Sequence, residues 1–482
     1  MKLTTWLLMV FFLIINTQLF SQDKMNVIIF IADDVSWNDL GCYGNTDVQS
    51  PTIDTLAEQG LKFNNFYLTA SSCSPSRNSI ITGRYPHNTG AAELHTEPPL
   101  WMKSFPEILK QNGYYTVQAG KFHMGAYAYR GFDKVFEKRE ENGSGGEKMW
   151  VDAIKERPKN KPFFMWFASY DAHREWGENK FSGTHPPNKI TPPFYLVNGE
   201  NTKEDMGHYY DEIKRFDYSI GEVLKELKNQ GEMENTLLIV MADNGRPFPH
   251  SKTRVNDRGM KSPFIIYGPK NIVAKNTESN ALVSAIDIAP TILDLANVSI
   301  EDQFQGVSFK EVLKSPSKSF RKHVFAEHNW HDYEAFERMV RTEDFMYIFN
   351  AQPQYPQSGP ADAVGSPSYI DLEMKKEAGE LTAAQADVFV TPRPSEELFN
   401  CKTDTLQLLN IASIPSKKEK LNELRTVLEK WMTETGDYVP EQLTKDWYTR
   451  EAGYVKTESF EIRGEMPGSK TNAVKNNSKG AF

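Results

Sequence analysis

The sequence predicts an α/β fold in which a large, mostly parallel sheet is sandwiched by helices, with a smaller α+β unit at its C-terminal end. Three observations carry this prediction. Short apolar runs recur between amphipathic stretches. Most of these runs are continuously apolar rather than alternating, which marks strands buried on both faces. After about residue 335 the texture changes to a polar mixture rich in Pro, Gly and Ser.

The chain opens on Lys2 and the apolar run 6–15 (WLLMVFFLII), and Leu19-Phe20-Ser21 before Gln22 resembles a small-residue cleavage site. Residues 1–21 therefore read as an export signal. This run is too short to span a hydrocarbon core of about 30 Å. It predicts a periplasmic or secreted mature protein with no stable membrane insertion. The predicted strands are 26–32 (NVIIFIA), 114–118 (YYTVQ), 162–169 (PFFMWFAS), 236–242 (TLLIVMA), 263–267 (PFIIY) and 323–326 (HVFA). Helical patterns fall between them at 53–59, 105–111, about 203–229 and 287–296. Together these make a catalytic unit over 22–335. Beyond it, 341–350 (RTEDFMYIFN) reads as a strand and 352–369 as a long loop. Leu421, Leu424, Val427, Leu428, Trp431 and Met432 then share one helical face. Residues 336–465 form the smaller α+β unit, and 466–482 a polar tail.

Composition narrows the function. The 482 residues include 55 Lys and Arg against 64 Asp and Glu, a formal charge of −9. With 39% apolar and 25% charged residues, the chain is an ordinary folded protein, neither disordered nor a polytopic membrane protein. Mild acidity argues against a nucleic-acid or membrane-surface binder. A polyanion could bind only through a local basic pocket. The three cysteines, Cys42, Cys73 and Cys401, are an odd number, so at least one has a role other than a disulfide. Cys42 and Cys401 fall in different predicted units and are expected to be free.

Polar clusters follow five of the apolar runs: Asp33-Asp34, Lys121 with His123, Asp171 with His173, Asp243-Asn244-Gly245, and Glu327-His328. Ligands of open α/β sheets bind at the carboxyl ends of the strands, so all five are expected to converge on one site. Asp33, Asp34, Asp243 and Asn244 offer only oxygen ligands, which suit calcium or magnesium rather than zinc. Clustered carboxylates repel one another, and a bound cation relieves that repulsion. Lys121, Arg77 and Lys252 add positive charge, which fits a compact oxyanion such as sulfate or phosphate.

The run Ser72 to Arg84 (SCSPSRNSIITGR) contains Cys-x-Pro-x-Arg followed by Thr-Gly-Arg, and it resembles the signature of the sulfatase family. Ala32-Asp33-Asp34 with Leu40-Gly41-Cys42-Tyr43-Gly44, Gly120-Lys121-Phe122-His123-Met124-Gly125, and Asp243-Asn244-Gly245 resemble the other blocks of that family, in order. The finer texture is similar to the heparan N-sulfatase branch. It is carried by Ser71 to Arg77, Asp171-Ala172-His173-Arg174, Asp243 to Pro249, and the stretch from Glu397-Leu398-Phe399 to Thr433-Glu434-Thr435. Ala172 and Lys252 depart from that branch, which has Pro and Arg there.

The resemblance implies an alkaline-phosphatase-like fold and a type I sulfatase in which Cys73 is oxidised to Cα-formylglycine by a maturation enzyme. It implies Asp33, Asp34, Asp243 and Asn244 as calcium ligands, with the modified Cys73 completing the shell. Arg77 and Lys121 would steady the hydrated formylglycine, and His123 would take a proton from it. His173 and Lys252 would contact the sulfate, with His173 as acid to the leaving oxygen. His95, Arg174, His328 and His331 are the candidates for sugar contacts. His87, His185, His208, His250 and His323 receive no role. The substrate expected first is a sulfated polysaccharide such as ulvan, and second heparan-type N-sulfoglucosamine. A phosphatase or phosphonate hydrolase of the same superfamily and a sugar-binding pseudo-enzyme are the remaining readings.

Overall fold

The computed structural model describes residues 24–482. The predicted export signal lies outside the described residues. Strand β1 (Asn26–Ala32) is buried at every position. Its alternate side chains explain why. Val27, Ile29 and Ile31 enter one apolar layer, while Ile28, Phe30 and Ala32 enter another, so no face of the strand meets water. Helices α1 (Pro51–Gln59), α2 (Cys73–Thr82), α3 (Phe105–Gln111), α4 (Glu200–Asn229) and α5 (Ile288–Leu295) supply these layers. Ile80 and Ile81 of α2, Ile108 of α3 and Ile292 of α5 pack in the first layer. Ile53 of α1 and Tyr209, Ile213, Phe216 and Ile220 of α4 pack in the second. Each such side chain contributes roughly 1.5–3 kcal/mol by burial.

The remaining strands are β2 (Leu61–Phe63), β3 (Phe66–Tyr67), β4 (Tyr115–Gly120), β5 (Lys134–Phe136), β6 (Phe163–Ala168), β7 (Thr236–Ala242), β8 (Phe264–Tyr267), β9 (Thr277–Ser279), β10 (Val283–Ser284), β11 (Val324–His328), β12 (Glu337–Arg341), β13 (Phe345–Asn350) and β14 (Glu396–Asn400). The large sheet has the order β5-β4-β6-β1-β7-β8-β2-β9. Only β8 runs against the others, antiparallel to both β7 and β2. The expectation of a mostly parallel sheet flanked by helices therefore holds.

The run 323–326 does not join that sheet. As β11 it heads a four-stranded antiparallel sheet, β11-β12-β13-β14. The reason it reads as a core strand is physical. Val324 and Ala326 face the large core, while Phe325 stacks on Trp431 at 4.8 Å beneath helix α7 (Lys418–Thr435). The small sheet is thus buried on both faces, and its first strand lies on the N-terminal side of residue 335. The predicted strand 341–350 resolves into the end of β12, a turn and β13. The predicted loop ends at helix α6 (Pro367–Glu377).

The polar tail is held by hydrogen bonds. Arg84, 1% exposed, donates to Asn477 Oδ1 at 2.7 Å and to the carbonyls of Asn476 and Val474 at 2.8 and 3.2 Å. Among the described residues no helix is long and apolar enough to cross a membrane.

Candidate active site

The register of the parallel strands builds the site. Ala32 pairs with Ala242, Ile31 with Ala168, and Gly120 with Ala168, so β1, β7, β6 and β4 end at one level. The residues that follow emerge side by side: Asp33-Asp34, Asp243-Asn244, His173, and Lys121 with His123. Gly120 makes the turn possible. Its φ is +98°, and a Cβ there would lie 1.9 Å from the Ala168 carbonyl oxygen. The fifth cluster does not arrive. Glu327 holds His87 Nδ1 at 2.8 Å and Asn329 Nδ2 at 2.9 Å inside the small sheet, because β11 belongs to that sheet.

Cys73 is the first residue of α2, after an extended Ser72, so it sits at the electropositive end of a ten-residue helix. Its Sγ lies 3.8 Å from Asp33 Oδ1 and 3.9 Å from Asp34 Oδ1. Around it each acid has a basic partner. Lys121 Nζ is 2.5 Å from Asp33, and Lys252 Nζ is 2.7 Å from Asp34. Arg77 donates from Nε to Asp243 at 2.8 Å, and its NH2 nitrogen is also 2.8 Å from the same oxygen. This corrects one argument from sequence. The chain neutralises its own carboxylates, so repulsion among them does not by itself demand a cation.

The donor set nevertheless fits a cation. Asp33, Asp34 and Cys73 each bring one donor atom within 4.8 Å of the others, close enough to share one ion. Asn244 directs Nδ2 at Asp34 Oδ1, while its buried Oδ1 has no hydrogen-bond partner among the described residues. A half-turn of that amide would present the orphaned oxygen to an ion beside Asp34. With three acids and three bases already balanced, a bound dication would leave the site with an excess of positive charge suited to an anion.

The ionisation states follow from burial and these pairs. Burial alone would raise Asp33, but Lys121, His173, Arg77 and Lys252 outweigh it and hold the carboxyl far below its usual range. Burial works to raise the Asp243 carboxyl, and the Arg77 guanidinium 2.8 Å away opposes it. Burial also pushes the Cys73 thiol well above its ordinary value, so it is not a thiolate at neutral pH. Burial, with Lys121 and His95 nearby, holds His123 well below the ordinary histidine range, which leaves it a neutral base.

The histidines separate by position. His95 Nδ1 is 3.0 Å from His123 Nε2, and the His95 backbone N–H donates to Ser74 Oγ at 2.9 Å. His173 Nε2 stands 3.8 Å from Asp34 Oδ2 on the open side of the site. His331 Nδ1 is 2.7 Å from the hydroxyl of Ser72, the residue before Cys73. His328 is buried in a neighbouring polar cavity lined also by His331, Glu337 and Arg393, and burial takes it down to about 4. Arg174, a candidate for a sugar contact, has its guanidinium engaged within the protein. Its guanidinium grips Asp205 at 2.7 and 2.6 Å, donates to the Pro247 carbonyl at 2.7 Å, and lies over Trp176 and Phe248. It braces the wall of the site.

Sequence reasoning missed Asp362, whose Oδ2 is 3.7 Å from both His173 Nε2 and Lys252 Nζ. It also missed the apolar wall of Leu94, Trp330 and Trp447 that packs on Cys73. An acid in a Pro- and Gly-rich loop carries no local signal, and neither do tryptophans from distant segments.

The sheet order, the helical layers and an anion-ready cluster at the strand ends define a hydrolase of the alkaline-phosphatase-like α/β class. Residues 25–298 match the family model described as Sulfatase, so the chain belongs to the sulfatase family and is a sulfuric ester hydrolase. Residues 250–351 match the family described as N-sulphoglucosamine sulphohydrolase, C-terminal. An ulvan-active sulfatase of Formosa agariphila is 30% identical over 439 residues, covering 88% of this chain and 82% of the relative. The human N-sulphoglucosamine sulphohydrolase is 28% identical over 459 residues, covering 86% and 90%. Among solved structures, a protein in complex with its substrate D-glucosamine-2-N,6-O-disulfate superposes with a TM-score of 0.68 at 21% identity, covering 85% of this chain and 98% of that one.

Proposed function

We propose that this sulfatase removes sulfate from a sulfated carbohydrate outside the cytoplasm, in the breakdown of a polysaccharide such as ulvan, using formylglycine made from Cys73 and a calcium ion held by Asp33, Asp34, Asp243 and Asn244. The observation that carries the reading is the placement of Cys73. It is a protonated thiol at a helix N-terminus, 3.8 and 3.9 Å from two carboxylates that are each paired with a lysine. Such a thiol is a poor nucleophile, which fits a reacting group made from Cys73 rather than the thiol itself. When present, formylglycine supplies an oxygen nucleophile and calcium supplies a Lewis acid for a sulfate oxygen.

The chain's own residues do the rest. Lys121 and Arg77 hold positive charge beside Cys73 through Asp33 and Asp243. Lys252, 1% exposed, presents an ammonium that offsets charge on the transferring group. His123 is neutral, so it has a ring nitrogen free to accept a proton; Nε2 meets His95 at 3.0 Å, while Nδ1 has no hydrogen-bond partner among the described residues. His173, a third exposed on the open side of the site, is the acid assigned to the departing sugar oxygen. His331 steadies Ser72, and the Leu94, Trp330 and Trp447 wall excludes water from Cys73.

Heparan-type N-sulfoglucosamine is the second reading, favoured by the match over residues 250–351. The test is free sulfate released from ulvan oligosaccharides and from heparan oligosaccharides by protein whose Cys73 has been shown by mass to be converted to the aldehyde. Release from ulvan alone supports the first reading. Release from heparan alone replaces it with the second.

A further inference from the structure

Asp362 lies between β13 and α6, in the stretch that sequence marks only as a loop. One of its oxygens, Oδ2, stands 3.7 Å from His173 Nε2 and from Lys252 Nζ, the two side chains that the proposed function assigns to the sulfate. Lys252 turns its ammonium to Asp34 instead, at 2.7 Å. The other oxygen, Oδ1, is shielded and has no hydrogen-bond partner among the described residues. The side chain as a whole is 29% exposed, and with Oδ1 shielded it is Oδ2, beside His173 and Lys252 but beyond hydrogen-bond distance of both, that is left to accept a further hydrogen bond.

Its position is built. The Ala361 N–H donates to Asp332 Oδ2 at 2.9 Å, and the N–H groups of Ala363 and Val364 both turn back to the Pro360 carbonyl. Ala363 and Val364 are buried. Gly453 closes over the loop so tightly that a Cβ there would stand 2.9 Å from the Ala361 carbonyl oxygen. A loop fixed in this way points one acceptor at a defined place.

We propose that Asp362 is a specificity-determining residue that accepts a hydrogen bond from a hydroxyl or amino group on the sugar carbon next to the sulfated one, and that it disfavours sugars carrying an acidic group there. Neighbouring ring substituents stand side by side. A sulfate that meets His173 and Lys252 on the side away from Asp362 therefore brings the next substituent of the ring to that carboxylate. A donor there satisfies the carboxylate, whereas a second sulfate or a carboxylate meets a like charge. The assignment rests on the reading of the site as a carbohydrate sulfatase.

The experiment compares kcat/KM of wild type, Asp362→Ala and Asp362→Asn on two probes. One is whichever of the ulvan and heparan oligosaccharides the wild type desulfates. The other is 4-nitrophenyl sulfate, whose leaving group carries no donor beside the ester. The ratio of oligosaccharide to aryl sulfate kcat/KM should fall about ten- to a hundredfold in Asp362→Ala, the range for losing a hydrogen bond to a charged group. Asp362→Asn keeps an acceptor oxygen and should fall less. A ratio unchanged from wild type, whether both rates hold or both drop together, overturns the proposal. Wild-type protein that releases no sulfate from any of these probes defeats the sulfatase reading itself, a result distinct from an unchanged ratio.

Discussion

Replacing Lys252 with Met should make calcium bind more tightly while sulfate release falls. Lys252 and Asp34 are 1% and 0% exposed and 2.7 Å apart, and Met keeps most of the lysine's volume without its charge. Leaving one member of a buried ion pair uncompensated costs about 3–5 kcal/mol. A dication beside Asp34 relieves that penalty. If about 1.5–3 kcal/mol of it is recovered on binding, the calcium dissociation constant drops about ten- to a hundredfold. The assay is isothermal titration of calcium into protein stripped with a chelator, paired with sulfate release at saturating calcium. Weaker or unchanged calcium binding in Lys252→Met would refute the reasoning, because Asp34 would then not share its charge between lysine and metal.

Three further outcomes are expected. Asp243→Ala should lose bound metal and activity together and melt at a lower temperature, because it removes a proposed ligand and strands the buried Arg77; metal content equal to wild type by elemental analysis would remove Asp243 from the proposed ligand set. Because burial and nearby positive charge hold His123 well below the ordinary 6.5, it stays neutral as pH falls through that value. The acid limb of kcat/KM assigned to this base, by its loss in His123→Gln, should lie below 6.5, and a limb above it would show that His123 titrates like a free histidine. Deleting residues 466–482 should lower the melting temperature, because Arg84 loses acceptors from Val474, Asn476 and Asn477; an unchanged transition would mean that water replaces them without cost.

What sequence could show was local. NVIIFIA and TLLIVMA are strands with the bounds their apolar runs suggest, because both are buried on two faces and are followed by acids that turn to basic partners in the site. The metal-ligand candidates, Lys121 and His123 could be named because each follows such a strand. The pairing of Asp33 with Lys121, Asp34 with Lys252 and Asp243 with Arg77 could not, since partners separated by 88, 218 and 166 residues meet only through packing. The same holds for Arg174, whose partner Asp205 lies on α4, and for Asp362, which a loop from the C-terminal part of the chain delivers. β11 misleads for a related reason. Burial on both faces looks the same in sequence whichever sheet provides it.

The central claim is that sulfate ester hydrolysis runs through Cys73 in its modified form. The direct measurement is free sulfate released from ulvan and heparan oligosaccharides by wild type and by Cys73→Ala, both shown by circular dichroism to be folded and the wild type shown by mass to carry the aldehyde. The account predicts release by wild type and none above background by Cys73→Ala. Equal release by the two proteins would contradict it.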